Sequence, residues 1–465
     1  MNLEEVITYI DELVFAKQGR WLEEPEKVVI EAAWLDRDYK DVAKDGSDYH
    51  INLLQRRVAP KLWVLLSGIL GNGEKVTKKR LRRILEEVIQ ASRTQEIGFK
   101  SNQVLERDSI LEGVLPEVRN FYGRTPEMAM LKESLAQERC VVLTGVAGVG
   151  KSALAAKLVE LMVLGSFEFN KIIWKSISYA PLLPDLIGEL IKSMNSSPEI
   201  DLPDSTQARI SMMFSQMQNS RSLIVLDSAE SILQGNRELD SNQYGKKYKE
   251  YGNFFKRVVE EKHKSCCLLI TREPFIDISR LYRKGEAAKV IKVEGLGKEA
   301  LEIFRSYGLR DEDKWGELIN TYRGNPSCLT IVSQKIKNFF GGSVDEFLNF
   351  NTLLMIDIFE ESLHNLFKED GHLTNLEKQI LFYIAEETKS SFNNGFTFRE
   401  LAVKIKEKFG DEISTSEVLD AIEGLLERSL IEDRTNNNSE IVFSLQPLVV
   451  KYVINNFTKR TLKCA

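Results

Sequence analysis

The chain has 465 residues, 43% of them hydrophobic and 28% charged, which is the make-up of a globular protein of about three domains. Its formal net charge of −6 argues neither for nor against a polyanionic partner. No run approaches the roughly 18 apolar residues of a membrane span, and the acidic start Met1-Asn2-Leu3-Glu4-Glu5 lacks an apolar signal core, so no membrane partner and a cytoplasmic location are expected. Cys140, Cys266, Cys267, Cys328 and Cys464 show no C-x-x-C spacing and lie mostly in apolar runs, which predicts buried thiols in a reducing compartment.

Charge divides the first hundred residues. Positions 1–49 hold 6 Lys/Arg against 13 Asp/Glu, and positions 50–100 hold 11 against 4. The opening helix carries Leu3, Val6, Ile7, Ile10, Leu13 and Val14 on one face. Pro25 reads as a first helical position leading into Val28, Val29, Ala32 and Ala33. A short helix around 39–43 is followed by Gly46 and by Ser47 as an N-cap. The next helix turns Ile51, Leu54 and Val58 inward, which completes a helix-turn-helix outline. After a turn at Gly71-Asn72-Gly73, Thr77 opens a helix that buries Leu81, Ile84, Leu85, Val88 and Ile89. Its start is densely basic: Lys75, Lys78, Lys79, Arg80, Arg82 and Arg83. That cluster, with Asn52, Arg56 and Arg57 on the exposed helix face, fits first a protein-interaction module, then DNA or RNA contact, and last a purely structural face. Residues 92–120 read as a linker.

Phe121-Tyr122-Gly123-Arg124 precedes an amphipathic helix through Met128, Leu131 and Leu135. The apolar run Cys140-Val141-Val142-Leu143-Thr144 then reads as a buried parallel strand. It leads into Gly145-Val146-Ala147-Gly148-Val149-Gly150-Lys151-Ser152, which fits G-x-x-x-x-G-K-[ST], and a helix opens at Ala153. Glycines let consecutive N–H groups converge on phosphate oxygens, and the helix adds the positive end of its dipole. Lys151 can reach the outer phosphates, and the Ser152 hydroxyl can hold Mg2+. ATP or ADP with Mg2+ is the expected ligand set.

Further strands are predicted at 171–177, 222–227 and 265–272, alternating with helices as in a doubly wound sheet. Ligands of such sheets bind at the carboxyl ends of the strands, where Asp227 and Arg272 lie. Asp227 is the expected magnesium acid. Arg272 can contact the terminal phosphate and report its presence. The position after Asp227, where a second acid usually polarises the attacking water, is Ser228, and Glu230 is the nearest carboxylate. Lys151, Asp227, Glu230 and Arg272 are thus the candidate catalytic set of a weak ATPase serving regulation.

Residues 371–465 read independently as a winged helix: helices through Ile380 and Ile384, over 397–405 and over 414–429, a turn at Asn436-Asn437-Asn438, and a strand at 441–444. A last helix places Val449, Tyr452 and Val453 inward.

Together these blocks resemble the NB-ARC subfamily of STAND signalling ATPases, an AAA+-related class. Within it the likeness is to cyanobacterial proteins with an N-terminal helix-turn-helix and, usually, C-terminal β-propeller repeats. The motifs are Tyr122-Gly123-Arg124, the loop 145–152, Trp174-Lys175-Ser176, Leu226-Asp227-Ser228-Ala229-Glu230-Ser231, Ile270-Thr271-Arg272 and Gly324-Asn325-Pro326. The resemblance implies a multidomain α/β plus α chain: a helix-turn-helix domain at 1–95, a linker at 96–120, a P-loop doubly wound parallel-sheet domain at 121–291, a helical bundle at 292–370 and a winged helix at 371–465. It also implies that Arg124 lines the adenine side, and that Gly145, Val146, Ala147, Gly148, Val149, Gly150, Lys151, Ser152 and Ala153 cradle the phosphates. Pro326 would pack against the base. In the family a Met-His-Asp triplet locks the diphosphate state; here Leu445-Gln446-Pro447 occupies that place, and Gln446 can donate a hydrogen bond but cannot titrate.

No repeat period is present, so either a sensor is expected on a separate polypeptide or the chain is a short regulator made from an ancestor that had one. The expected function is an ATP/ADP switch with slow hydrolysis, forming a homo-oligomer in the ATP state and presenting residues 1–95 to a protein effector. The alternative is an ATP-modulated DNA-binding regulator. A small-molecule kinase lacks any acceptor site.

Overall fold

The structure, a computed structural model, describes residues 3–18, 20, 22–42, 51–70, 74–85, 110–164, 169–195, 200–233, 246–350, 353–368, 371–390, 395–410, 413–435 and 439–461. Gly46, Ser47, the Gly71-Asn72-Gly73 turn, Val88, Ile89, the Asn436-Asn437-Asn438 turn and Cys464 lie outside these residues. By backbone contacts the chain forms two units, Met1–Gly113 with Thr125–Glu133 and Ala155–Ile172, and Val114–Arg124 with Ser134–Leu154 and Ile173–Ala465.

The first unit opens with helices Leu3–Gln18, Glu24–Trp34 and Tyr39–Val42. Their apolar faces meet in a core that includes Val6, Ile10, Val14, Val29, Ile30, Leu54, Leu62, Leu66, Leu81 and Leu85. Pro25 stands in the first turn, as its missing N–H allows. Glu26 accepts both guanidinium nitrogens of Arg20, at 2.7 and 2.8 Å, and the Glu23 amide at 2.9 Å. This carboxylate thereby fixes the entry to the helix, and the Arg20 contacts hold its pKa down against burial. Leu54 is buried, whereas Ile51 and Val58 are only half-buried. A physical reason is local. The helical run contains Pro60, whose ring crowds the preceding turn, and residues Leu54–Val58 adopt wider π-helical winding before Ala59–Leu70 resumes.

Strand β1 (Leu111–Glu112) lies in the first unit, and β3 (Lys171–Ser176) begins there. In the second unit β2 (Cys140–Thr144), β4 (Ser222–Asp227), β5 (Cys266–Thr271) and β6 (Ala288–Lys292) form a parallel sheet with the neighbour order β4-β5-β2-β6. Strand β2 pairs in parallel with both β5 and β6, and β4 with β5. Central strands β2 and β5 are buried along their whole length, which explains their unbroken apolar sequences. Strands β1 and β6 escape the sequence reading: β1 is two residues long, and Lys289 and Lys292 interrupt β6. Cys140, Cys266, Cys267 and Cys328 are buried free thiols, and burial pushes Cys267 and Cys328 up to about 12.

Five helices from Leu301–Tyr307 to Asp357–Phe367 follow β6. The next helices, Asn375–Ser390, Phe398–Phe409 and Thr415–Glu427, accompany an antiparallel sheet of order β7 (Phe396–Thr397), β9 (Ile441–Leu445), β8 (Ile431–Thr435). Thr397 and Ser414 are N-caps with Glu400 and Glu417 three residues on, both full capping boxes. Among the described residues the order is helix, strand, helix, helix, strand, strand. Helix Pro447–Thr461 closes it, with Val449, Tyr452 and Val453 buried.

The segment after β6 is threaded through glycines. Gly324 has φ +62°, and a Cβ there would stand 2.0 Å from the Leu296 carbonyl oxygen; one on Gly295 would stand 1.8 Å from that of Arg323. Leu296 N–H donates to the Gly324 carbonyl at 2.7 Å, so the two backbones cross in direct contact. Gly324→Ala is expected to destabilise this unit by about 1–3 kcal/mol, the cost of an imposed strained backbone. A urea midpoint equal to wild type would show that the crossing can yield.

Candidate nucleotide site

The three central strands deliver the site. Register pairs Thr144 with Thr271 and Asp227 with Ile270, so the carboxyl ends of β2, β4 and β5 lie side by side. From β2 the chain turns through Gly145 (φ +151°), Gly148 (+75°) and Gly150 (+100°), conformations that only glycine adopts without strain. Helix Lys151–Leu164 starts at once, aiming its unsatisfied amides back at the loop.

Ser152 Oγ donates to Asp227 Oδ1 at 2.9 Å, and the Ser228 amide donates to the same oxygen at 2.8 Å. Burial raises the Asp227 pKa, opposed by these bonds and by the charges of Lys151 and Arg272. Two hard oxygen ligands within hydrogen-bond reach of each other suit Mg2+, which takes one or two protein groups and completes its shell with water and phosphate.

Lys151 is buried and its ammonium donates to the carbonyls of Gly145 at 2.7 Å and Val146 at 3.0 Å. Burial lowers its pKa to about 8, against the favourable charges of Glu230 and Asp227 and with that of Arg272. Arg272 Nε pairs with Glu230 Oε1 at 3.1 Å, and the Arg272 amide donates to Glu230 Oε2 at 3.2 Å. A carboxylate so engaged is not free to serve as a base. Ser228, in the left-handed region at φ +62°, offers none either.

Lys151, Ser152, Ala153, Asp227, Glu230 and Arg272 line one cavity of about 250 Å³ with Ala147, Gly148, Gly150, Ser327 and Ile358. A second cavity of about 440 Å³ is lined by Val146, Val149, Lys292, Tyr322, Arg323, Asn325, Glu432 and Gln446, among others. The structure therefore brings the four candidate catalytic residues together and sets Gln446 in a different cavity from Lys151. Arg124 and Pro326 line neither. Arg124, buried at φ +69°, donates from Nη2 to the Val149 carbonyl at 2.9 Å and so braces the loop from its own side. Pro326 opens helix Pro326–Phe339.

Sequence reasoning missed the residue beside Pro326. Asn325 Oδ1 caps that helix by accepting the Cys328 amide at 3.2 Å, and Nδ2 donates to the Ala147 carbonyl at 2.8 Å. The Ser327 amide donates to the Gly148 carbonyl at 3.3 Å, and a Cβ on Gly148 would stand 2.8 Å from Ser327 Cβ. An Asn before a helix-opening Pro signals an N-cap; its second hand on the loop is visible only in three dimensions.

Phosphates would hold Lys151 charged, so nucleotide binding should take up a proton above pH 8, and affinity should fall as pH rises through the free lysine's pKa of about 8. Calorimetry at pH 8.5 in two buffers of different ionisation heat reads that uptake. Lys151→Ala should remove it and weaken ADP and ATP binding by at least about tenfold, one charged hydrogen bond being worth about 1.5–3 kcal/mol. Undiminished affinity in the variant would sink the assignment of this loop.

Residues 1–88 match the family model of the vWA-MoxR associated protein N-terminal HTH, and residues 125–233 match that of the NB-ARC domain. An uncharacterised WD repeat-containing protein of the cyanobacterium Nostoc sp. (strain PCC 7120) is 32% identical over 359 residues, 75% of this chain; the chain spans only 27% of that relative's length. Among solved structures, a Walker-type ATPase of Pyrococcus abyssi is similar over 73% of this chain and 99% of its own, at 17% identity and a TM-score of 0.49. Cdc6p of Pyrobaculum aerophilum is similar over 74% and 96%, at 17% identity and a TM-score of 0.36. Among the described residues no helix is long and apolar enough to cross a membrane. Residues 125–233 thus resemble an NB-ARC domain, a nucleotide-binding P-loop module, and residues 1–88 resemble an N-terminal helix-turn-helix domain.

Proposed function

We propose that this protein is a nucleotide-controlled signalling switch in which hydrolysis is slow. The observation that carries the reading is the grip of Asn325 and Ser327 on the carbonyls of Ala147 and Gly148. Phosphates entering the loop must share its backbone with the helical segment, so ligand state and the placement of that segment are linked. Further ties support a closed resting state. Arg323 Nε pairs with Glu432 at 2.6 Å, Arg283 with Glu423 and Glu427 at 3.0 and 3.2 Å, and Lys292 Nζ donates to the Leu426 carbonyl at 3.0 Å. The segment 371–461, read here as a winged helix, is tied by these contacts to strand β6, to the helix Ile276–Arg283 before it and to the turn after helix Trp315–Thr321. In this reading ATP exchange loosens the ties, and the chain forms homo-oligomers that present residues 1–95 to an effector protein. Mg2+ would be held by Ser152 and Asp227, with Arg272 reporting the terminal phosphate.

The second reading, ATP-modulated DNA binding, rests on Asn52, Arg56 and Arg57, all exposed on one helical run. Half of the basic cluster is engaged within its own domain, however. Lys78 lies 3.7 Å from Asp38 and over the Tyr39 ring, Arg82 lies over Trp34, and Arg83 pairs with Glu74 at 2.8 Å. Spent charges favour the protein-partner role. A gel shift at physiological salt, with and without ATP, is expected to show no sequence-specific complex; a specific shift lost in Arg56→Ala would reverse the ranking.

Because Ser228 carries no carboxylate and Glu230 is paired with Arg272, steady-state turnover of the isolated protein should fall below the roughly 1–10³ s⁻¹ of metabolic enzymes. A rate above about 1 s⁻¹ without a partner would contradict the switch.

Gln446→His tests the lock. Should position 446 approach the phosphates once nucleotide is bound, a charged donor would add about 1 kcal/mol over a neutral one. ADP release would then slow about fivefold, and ATP-driven oligomers seen by light scattering would diminish. Unchanged release would leave Gln446 as a residue of the larger cavity alone.

A further inference from the structure

Outside the nucleotide site the most completely buried charges form one triad. Arg428 Nε donates to Glu273 Oε2 at 2.6 Å and Nη1 to Glu377 Oε1 at 3.0 Å, with the three side chains only 1, 4 and 5% exposed. Nη1 also reaches the Gly424 carbonyl at 3.0 Å, and Nη2 the His372 carbonyl at 3.4 Å. Each nitrogen of the guanidinium therefore has an acceptor. Room has been made for it: a Cβ on Gly424, in the last turn of helix Thr415–Glu427, would stand 2.6 Å from Glu377 Oε1 and 3.1 Å from Arg428 Nη1.

The placement of Glu273 gives the triad a consequence. It follows Arg272 directly, at the mouth of β5. Thr271 Oγ1 donates to the Glu273 carbonyl at 2.8 Å and accepts its amide at 3.1 Å, so residues 271–273 form one stiff turn. On one side of that turn Arg272 lines the Lys151 cavity and is paired with Glu230; on the other, Glu273 is fixed to Arg428. At the far end, Glu377 accepts the Thr374 amide at 2.8 Å and lies in the first turn of helix Asn375–Ser390.

We infer that Arg428 is a positioning residue that couples the nucleotide site to the helices at 375–390 and 415–427, through the Arg272–Glu273 turn. The inference rests on the reading of Arg272 as reporter of the terminal phosphate. A phosphate that draws Arg272 from Glu230 shifts a turn too stiff to absorb the motion, and Glu273 passes it to a guanidinium with no slack. Interior groups packed this tightly have discrete arrangements rather than continuous play. Arg fits the task better than Lys, since its planar fork holds two carboxylates in fixed directions.

The test compares amide hydrogen exchange of residues 375–388 in the full chain with ADP and with a non-hydrolysable ATP analogue. Glu273→Gln keeps shape and one hydrogen bond; Arg428→Lys keeps charge without the fork. Wild type should exchange differently in the two nucleotides. In both variants the difference should shrink about fivefold or more, the lower range of inter-site coupling, while fluorescent ADP still binds. A full-sized difference in both folded variants would reduce the triad to a structural pin and overturn the inference. So would a wild type with no difference at 375–388. In that last case the triphosphate-to-diphosphate affinity ratio of Arg272→Ala separates the two ideas: a changed ratio keeps Arg272 as reporter and removes only the coupling.

Discussion

The backbone of the phosphate loop has two claimants. Its amides are offered to phosphate in the proposed reading, save that of Val149, which donates to the Val146 carbonyl at 3.4 Å, while its carbonyls at Ala147 and Gly148 are taken by Asn325 and Ser327. That contact depends on glycine at several places. Gly148 must lack a Cβ to let Ser327 in, and Gly324 must turn left-handed under Leu296 to bring Asn325 forward. Helix Pro326–Phe339 then begins where the loop needs it, with a proline whose absent N–H costs nothing in the first turn. The crossing of backbones at 295–296 and 323–324, together with the packing of Val146 on the core of the helical segment, holds that segment against the nucleotide loop.

Electrostatics around the loop are arranged to hold it in waiting. Lys151, with a pKa brought down to about 8 by burial, turns its ammonium onto the carbonyls of its own loop. Arg272 and Glu230 neutralise each other across the mouth, and Ser152 rests on Asp227. Each side chain that would contact phosphate or Mg2+ thus has a substitute partner, which a ligand must displace. Such exchange of partners is a natural basis for two states of similar free energy. It is a poor basis for fast hydrolysis, because the nearest carboxylate is already paired. The proposed switch and the proposed coupling through Arg428 both follow from this economy of partners.

The buried triad belongs to the same logic. Buried ion pairs are seldom a net source of stability, since desolvation offsets much of their attraction. A guanidinium satisfied at each nitrogen, set against a helix where Gly424 leaves room for it, is better understood as fixing relative positions than as adding stability.

Sequence alone determined what is written in short-range chemistry. The glycine loop, the apolar strands β2, β4 and β5 and the acid ending β4 are legible because a parallel strand buried on both faces must be continuously apolar, and a phosphate loop must be glycine-rich. The capped helices opening at Thr397 and Ser414 are legible for the same local reason. Strand β6 was hidden because its lysines break the apolar run, and the π-helical winding at Leu54–Val58 because a proline within a helix does not announce how it is accommodated. Tertiary structure decided the rest. That Asn325 grips Ala147, that Arg272 neutralises Glu230, that Gln446 faces a cavity apart from Lys151, and that Glu273 meets Arg428 across 155 residues are facts of long-range packing. A spacing rule cannot encode them, because each partner is an ordinary surface-type residue until the fold takes water away from it.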